Sequence, residues 1–285
     1  MNIFPDEFDE LPKEVDTLTQ LIAAICERRS KAIALSDRMI TTQDLSLAFE
    51  HESPKIDKIT DNCVAMTAGS ALVHEPIFKE VRSKFKERPK SSIYEIAKVM
   101  KSEYQNLRTE MMNDEIFRRR GISIEYFYRN QGILHDATVM ELNRRMDEFD
   151  LDLHIVLVGV DNEGAHIICI YDPGTIMPFD ALGFCCVGTG RRHADTTFAY
   201  RRYTPIFSLK KALYIAYEAK KRSEMAGGVG QMTDIAVIDE NGVRMLSEKN
   251  IKELDELYQN MEQKATYGTE IDKAVEGIEL EFKTT

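Results

Sequence analysis

The chain has 285 residues, of which 43% are hydrophobic and 30% are charged, and its formal net charge is -11. A chain of this length can bury a full core, and its acidic balance argues against a nucleic-acid-binding protein, which needs clustered Lys and Arg. The five cysteines are odd in number and lie in apolar runs without C-x-x-C spacing, so we predict free thiols and a reducing, cytoplasmic location.

Residues 1–18 are predicted to form a leader rather than part of the core. They carry six acids, one lysine and two prolines, a composition typical of a terminal extension. They lack the basic-then-apolar order of a signal peptide, and no run in the chain reaches the ~18 apolar residues of a membrane span. We therefore expect no association with a membrane.

The first structural elements are predicted to be two buried strands joined by a polar turn. Two apolar blocks, Leu21–Cys26 and Ala32–Leu35, flank this turn, which is the pattern of a hairpin. Thr19 opens the first strand and Asp37 closes the second. A hydroxyl and a carboxylate are therefore expected at the same end of this strand pair.

A third apolar block, Cys63–Thr67, runs into a turn centred on Gly69, and Lys55 precedes this block. The turn is predicted to start an amphipathic helix over Ala71–Lys86. A second helix is predicted to begin at Ser92, whose spacing to Glu95 fits a capping box.

The segment 113–150 is predicted to be an elaboration within the same domain. Ile122–Tyr128 is expected to form a short strand, and Val139–Met146 resembles one or two turns of helix. A strong hairpin is predicted next, with strands His154–Val160 and Ala165–Tyr171 joined at an Asp-Asn-Glu-Gly turn.

Two further extended segments, Thr175–Phe179 and Phe184–Val187, are predicted to precede two helices, Arg191–Tyr203 and Ser208–Met225. A last hairpin and a helix capped by Ser247 are expected to close the domain near Met261. The strands of that hairpin are predicted at Asp234–Ile238 and Val243–Leu246. In the tail, Ile278, Leu280 and Phe282 alternate as the residues of an edge strand would.

This order of strands and helices predicts an α+β fold, a four-layer alpha-beta-beta-alpha sandwich of two antiparallel sheets. The sandwich would be one domain over residues 19–261, followed by a tail over 262–285. Over nearly all of this domain the chain resembles the proteasome beta-subunit family of the N-terminal-nucleophile hydrolases. The matching segments, in family order, are IALSDRMIT, SPKIDKITDN, VAMTAGSALVH, VGTGRRHA, SLKKALYIAYEA and GQMTDIAVIDENGVRMLSEKNI.

The resemblance implies a role for four residues. Thr19 would be the nucleophile, with its own amine as base once that amine becomes N-terminal. Lys55 would hold the amine neutral by like-charge repulsion, and Asp37 would orient Lys55. The backbone N–H of Gly69 would form the oxyanion hole.

The chain also departs from the family pattern at several positions. Leu18 precedes Thr19, where self-cleaving members usually have glycine, and only Ala226 and Val229 stand at the places of a family Asp and Ser. Thr189 could stand in for the serine of the other glycine turn.

Two functions remain open at this stage. The first is a threonine endopeptidase subunit that acts on polypeptides in intracellular protein degradation, within a homo- or hetero-oligomeric ring, after removal of residues 1–18. The alternative is a non-catalytic subunit of the same fold that serves as a ring scaffold or binding module. Thr17 competes with Thr19 for the nucleophile position, and an Asp37–Lys55 pair could also be a simple ion pair at a sheet edge.

No cofactor or metal is expected. The glycine turns lack a following Lys-Ser/Thr, so we interpret them as structural, and Arg118–Arg120 as a solvated helix face. Six histidines are scattered without metal-ligand spacing: His51, His74, His135, His154, His166 and His193.

Overall fold

The structure is a computed structural model that describes residues 19–41, 48–51, 54–70 and 72–267. The described chain is mixed α+β, and its contacts divide it into two compact units, 1–245 and 246–285. The strands are β1 Gln20–Cys26, β2 Lys31–Asp37, β3 Met39–Thr41, β4 Ala48–Glu50, β5 Ile56–Thr60, β6 Cys63–Gly69, β7 Leu153–Asp161, β8 Gly164–Tyr171, β9 Thr175–Pro178, β10 Phe184–Gly188, β11 Thr233–Asp239 and β12 Gly242–Met245. The helices are α1 His74–Phe85, α2 Ile93–Met112, α3 Ile124–Asn130, α4 Asp136–Asp147, α5 Arg191–Tyr200, α6 Leu209–Ser223 and α7 Glu248–Tyr267.

The first sheet has five antiparallel strands in the order β10-β1-β2-β11-β12. Two of its inner strands, β1 and β2, are the predicted hairpin, with Leu21 opposite Ser36. Every residue of β1 is buried, as the unbroken apolar block predicted. The closing hairpin joins this sheet through β11, where Thr233 lies opposite Asp37.

The second sheet also has five antiparallel strands, in the order β5-β6-β7-β8-β9. The predicted hairpin between β7 and β8 is confirmed, with Val158 opposite Ile167. The two late extended segments belong to different sheets, since β9 pairs with β8 and β10 pairs with β1. A two-stranded ribbon, β3 with β4, lies outside both sheets.

The two large sheets share one hydrophobic core. Leu21, Ala23 and Ile25 from β1 pack in the same buried cluster as Met66 and Val158 from the second sheet. The alternation of side chains along a strand sends the residues between them to the opposite faces. These opposite faces are therefore available to the helices.

Helices α1 and α2 cover the outer face of the second sheet. Phe78 of α1 and Met100 of α2 are fully buried in a cluster with Leu157 and Ile168. Helices α5 and α6 contact the first sheet, α5 along β10 and α6 along β1 and β2. The apolar helix faces predicted from the sequence therefore pack against the sheets, which bury them.

The segment 113–150 is helical, and the expected strand over Ile122–Tyr128 is wrong. Ser123 accepts a hydrogen bond from the backbone N–H of Tyr126 and so starts α3. Phe127 then packs against Phe117 in a small separate core, with ring centroids 5.4 Å apart. N-capping and this local aromatic contact outweigh the extended preference of the β-branched and aromatic residues.

The capping box expected at Ser92 is also wrong. Ser92 is the N-cap residue of α2, but its hydroxyl makes no capping bond. The carboxylate of Asp161, the last residue of β7, instead accepts the N–H of Ile93 at 2.8 Å. The unpaired N–H at the start of α2 is therefore satisfied by a tertiary contact, whereas the sequence predicted a local capping bond.

The second unit contains α7, and Ser247 caps it as predicted, accepting the N–H of Asn250 at 3.3 Å. The expected leader over 1–18 and the expected edge strand in the tail lie outside the described residues. Among the helices of the described chain, none combines the length and the apolar character that crossing a membrane would require.

Candidate functional site

Thr19 directly precedes β1 and is buried, with 4% of its surface exposed. Its position is defined by the neighbouring strand β10, because Gln20 lies opposite Gly188 in the sheet. Gly188 has φ +112°, and a Cβ there would lie 2.0 Å from the carbonyl oxygen of Thr19. Only glycine lets the two backbones approach this closely.

Asp37 closes β2 and is fully buried. Its Oδ1 accepts hydrogen bonds from the Thr19 hydroxyl and from Lys55 Nζ, both at 2.8 Å. Its Oδ2 accepts the backbone N–H of Gly230 at 2.9 Å. Three donors thus compensate one buried carboxylate, which is the condition for keeping a charge in a protein interior.

Lys55 precedes β5, and its side chain is 14% exposed. Its Nζ donates to the Thr19 hydroxyl oxygen as well as to Asp37. Burial lowers the pKa of Lys55 below its ordinary value, and the charge of Asp37 and its hydrogen bond oppose this shift. The ammonium is therefore held in contact with the hydroxyl while its proton is made easier to lose.

Gly69 is the last residue of β6 and lies opposite Leu153 of β7. Its φ is +109°, and a Cβ there would lie 1.8 Å from the carbonyl oxygen of Asp152. The neighbouring Ser70 N–H donates to that carbonyl at 2.7 Å. Glycine is thus required by the backbone itself, and the role of the Gly69 N–H as an oxyanion donor stays a prediction.

The structure therefore brings together three of the four residues singled out in the sequence. Thr19, Asp37 and Lys55 contact one another, although 18 residues separate each neighbouring pair along the chain. Their contacts hold the hydroxyl oxygen between a cation and a carboxylate. This arrangement can polarise the O–H bond and stabilise negative charge on the oxygen. Thr17, the competing nucleophile, lies outside the described residues.

Sequence reasoning missed the contribution of the loop after α6. Ala226 and Val229 stand where the family resemblance places an Asp and a Ser, but the group that reaches Asp37 is the backbone N–H of Gly230. The signal in the sequence was the glycine-rich run itself, which allows backbone groups to approach a buried carboxylate. Thr189 lies in the turn between β10 and α5, and its expected role stays a prediction.

The neighbour of Asp37 has a different partner. Arg38 donates two hydrogen bonds to Asp234, each at 2.7 Å. Arg38 therefore binds Asp234 of β11, and the Asp37–Lys55 ion pair considered from the sequence is present, with Lys55 Nζ 2.8 Å from Asp37 Oδ1.

No group of three or more His, Cys, Asp and Glu side chains suited to a metal ion occurs within the described ranges. A scan against protein-family models gave no match to the chain, and a search of curated proteins gave none either.

Proposed function

We propose that this chain is a proteasome-beta-like threonine hydrolase that cleaves peptide bonds once residues 1–18 have been removed. The observation that carries the proposal is the contact of one buried threonine hydroxyl with both Lys55 and Asp37. A lone threonine at the head of a strand needs neither partner. A buried lysine–aspartate pair aimed at that hydroxyl is costly to desolvate, and activation of the hydroxyl gives it a function.

The proposed reaction uses the new amine of Thr19 as its base. The amine takes the hydroxyl proton, and the oxygen attacks the carbonyl carbon of the peptide bond. The C–N bond then breaks, the leaving amine carries away the proton, and water hydrolyses the remaining ester. Lys55 would stabilise the developing charge on the oxygen, and Asp37 would hold Lys55 in position.

The proposed fold is the four-layer alpha-beta-beta-alpha sandwich of the N-terminal-nucleophile hydrolases. The shared core between the two sheets and the burial of α2 against the outer face of one of them support it. In this arrangement Thr19 would lie at one end of the sheet-to-sheet core.

The decisive experiment combines intact mass with two threonine variants. Purified full-length protein should lose residues 1–18, hydrolyse a fluorogenic peptide and form a covalent adduct with a peptidyl β-lactone, which acylates hydroxyl groups. Thr19→Ala should abolish both hydrolysis and the adduct, and Lys55→Ala should reduce hydrolysis by about a hundredfold or more. Thr17→Ala is the matched control, and loss of activity in Thr17→Ala with retention in Thr19→Ala would overturn the assignment.

The second candidate is a non-catalytic subunit of the same fold. Leu18 favours it, because self-cleaving relatives of the proposed type usually have glycine at that position. While Leu18 remains attached, Thr19 has an amide instead of a free amine and the proposed base is absent. A protein that keeps its full-length mass after assembly and forms no adduct would support the scaffold.

Both candidates predict assembly into a ring, with polypeptides as substrates only in the first. Sedimentation velocity at micromolar concentration tests this expectation directly. A stable monomer at all concentrations would exclude the ring and would leave the chemistry of Thr19 to be judged by adduct formation alone.

A further inference from the structure

Three consecutive backbone groups after α6 are each bound by a charged side chain. The N–H of Gly230 donates to Asp37 Oδ2 at 2.9 Å. The carbonyl of Gln231 accepts from Lys220 Nζ at 2.5 Å. The N–H of Met232 donates to Glu50 Oε1 at 2.7 Å. The loop that reaches Asp37 is thus also held at the two residues that directly follow that contact.

The side chain of Lys220, like that of Asp37, has no exposure to solvent. It projects from α6, and its ammonium group also pairs with Glu224 Oε1 at 2.5 Å. Desolvating an ammonium group is costly, and both of its bonds are needed to offset that cost. Most amphipathic helices place lysine on their exposed face, so full burial points to a specific task.

The loop has little freedom to move where it meets Asp37. A Cβ on Gly230 would lie 2.6 Å from Glu50 Oε1 and 3.2 Å from the backbone nitrogen of Met39. The position of the Gly230 N–H relative to Asp37 is therefore set by the path of the loop backbone. The bond from Lys220 to the adjacent Gln231 carbonyl sets that placement from the side of α6.

We propose that Lys220 is a positioning residue, which fixes the loop 230–232 so that the Gly230 N–H binds Asp37. This contact in turn sets how strongly the Asp37 carboxylate holds the Lys55 ammonium. The effect of Lys220 on catalysis rests on the proposed function, whereas its effect on Lys55 does not. Lys220 acts through Gln231 and Gly230 and does not touch the substrate.

The direction of the effect follows from the charges that face the two lysines. Asp37 attracts both ammonium groups, while Glu224 and Lys221 also act on Lys220. Removing Lys220 takes one positive charge from the vicinity of Asp37 and weakens the Gly230 N–H contact with its carboxylate. Both changes leave more of the Asp37 negative charge to stabilise protonated Lys55, so the pKa of Lys55 should rise.

The test uses the full chain and compares Lys220→Met with Lys221→Met. Lys221 is the matched control because it is the adjacent residue and also pairs with Glu224, at 2.7 Å, while the Gln231 carbonyl binds Lys220. The titration of the Lys55 ammonium is followed by NMR of isotope-labelled lysine, with the signal assigned by its loss in Lys55→Arg. Thermal unfolding is recorded in parallel, since a merely structural role would lower stability without moving this titration.

We expect Lys220→Met to raise the Lys55 pKa by roughly half a unit or more and Lys221→Met to leave it unchanged. If the wild type turns over peptide, Lys220→Met should lower kcat by about tenfold with little change in KM, because Asp37 is then held less firmly and orients Lys55 less well. Lys220→Arg should restore part of the kcat. Should Lys220→Met fail to fold, Lys220→Gln, which keeps a donor without the charge, takes its place.

An unchanged Lys55 pKa in a folded Lys220→Met or Lys220→Gln protein would overturn the proposal. So would an equal shift in Lys221→Met. Absence of any turnover in the wild type would refute the proposed function instead, and the Lys55 titration would still decide the role of Lys220.

Discussion

At the scale of single residues, the candidate site depends on one carboxylate. Asp37 receives the Thr19 hydroxyl, the Lys55 ammonium and the Gly230 N–H, and it has no exposure to solvent. Its negative charge and its hydrogen bond to Lys55 both oppose the lowering of the Lys55 pKa by burial. A substitution that removes the charge of Asp37 but keeps the size of its side chain therefore separates the orienting effect of Asp37 on Lys55 from its electrostatic effect.

Asp37→Asn should lower the pKa of Lys55 further and reduce peptide hydrolysis by roughly tenfold to a hundredfold, less than the loss in Thr19→Ala. The amide removes the attraction that opposes burial, and its NH₂ group cannot accept a hydrogen bond. The measurement is the NMR titration of Lys55 together with the pH profile of kcat. Asp234→Asn is a suitable control, because Asp234 is a similarly placed carboxylate that pairs with Arg38. A higher pKa for Lys55 in Asp37→Asn would contradict the mechanism.

The three side chains that the structure brings into contact were singled out from the sequence, whereas the groups that support them were not predicted. Thr19, Asp37 and Lys55 stand at strand ends or beside a strand, where residue type and position are informative together. Gly230 contributes only a backbone N–H, and the glycine-rich run that contains it does not by itself show which carboxylate that N–H binds. Lys220 lies on a helix whose pattern suggests solvent exposure for every lysine, and only tertiary packing shows its burial.

At the scale of elements, β10 fixes the start of β1 through a single glycine. Gly188 ends β10, has φ +112° and lies against the carbonyl of Thr19. The sequence identified a glycine turn here but gave no indication of this contact, because the pairing of β1 with β10 joins segments more than 150 residues apart.

Gly188→Ala should displace Thr19 and destabilise the protein by about 1–3 kcal/mol. The new methyl group would meet the Thr19 carbonyl, and alanine is strained at a positive φ. Chemical denaturation gives the stability, and β-lactone labelling reports on Thr19. Gly132→Ala is the control, because a Cβ at Gly132 meets nothing within 4 Å. Wild-type labelling rates in Gly188→Ala would show that the contact is not needed.

Elements with a clear hydrophobic pattern were predicted well, and irregular ones were not. The fully apolar β1 and the amphipathic α6 appear close to their predicted bounds. The α3 segment, Ile124–Asn130, is too short for helical periodicity to be distinguished from an extended run. The capping serine, Ser123, starts the helix, and the prediction of a strand took no account of it.

At the scale of the whole molecule, one buried histidine links the second sheet to the helix that covers it. His166 lies on β8, with Nδ1 2.6 Å from Asp180 and Nε2 3.1 Å from Asp161. Asp161 also caps α2 through Ile93, and Tyr94 of the same helix donates to Asp180 at 3.2 Å. The side chain of His166 is only 4% exposed.

This cluster makes the stability of the fold depend on pH. The hydrogen bond to Asp180 is the largest influence on His166 and raises its pKa above the ordinary value of 6.5, against the opposing effect of burial. A protonated His166 can donate from both nitrogens to the two carboxylates. Because the pKa is higher in the folded state, the stabilisation is fully present below about pH 6.5 and is lost as the pH rises through the folded value.

We therefore expect the free energy of unfolding of the wild type to fall as the pH rises from about 6.5 into the alkaline range and His166 loses its proton. His166→Gln keeps hydrogen-bonding capacity without the charge, so it should be less stable than the wild type by about 2 kcal/mol at the acidic end, with a flatter pH dependence. Urea denaturation across this range measures both quantities. His193→Gln changes an exposed histidine of α5 and should follow the wild-type curve. A His166→Gln protein whose stability runs parallel to the wild type at every pH would show that the Asp161–His166–Asp180 cluster stays in one protonation state and contributes packing alone.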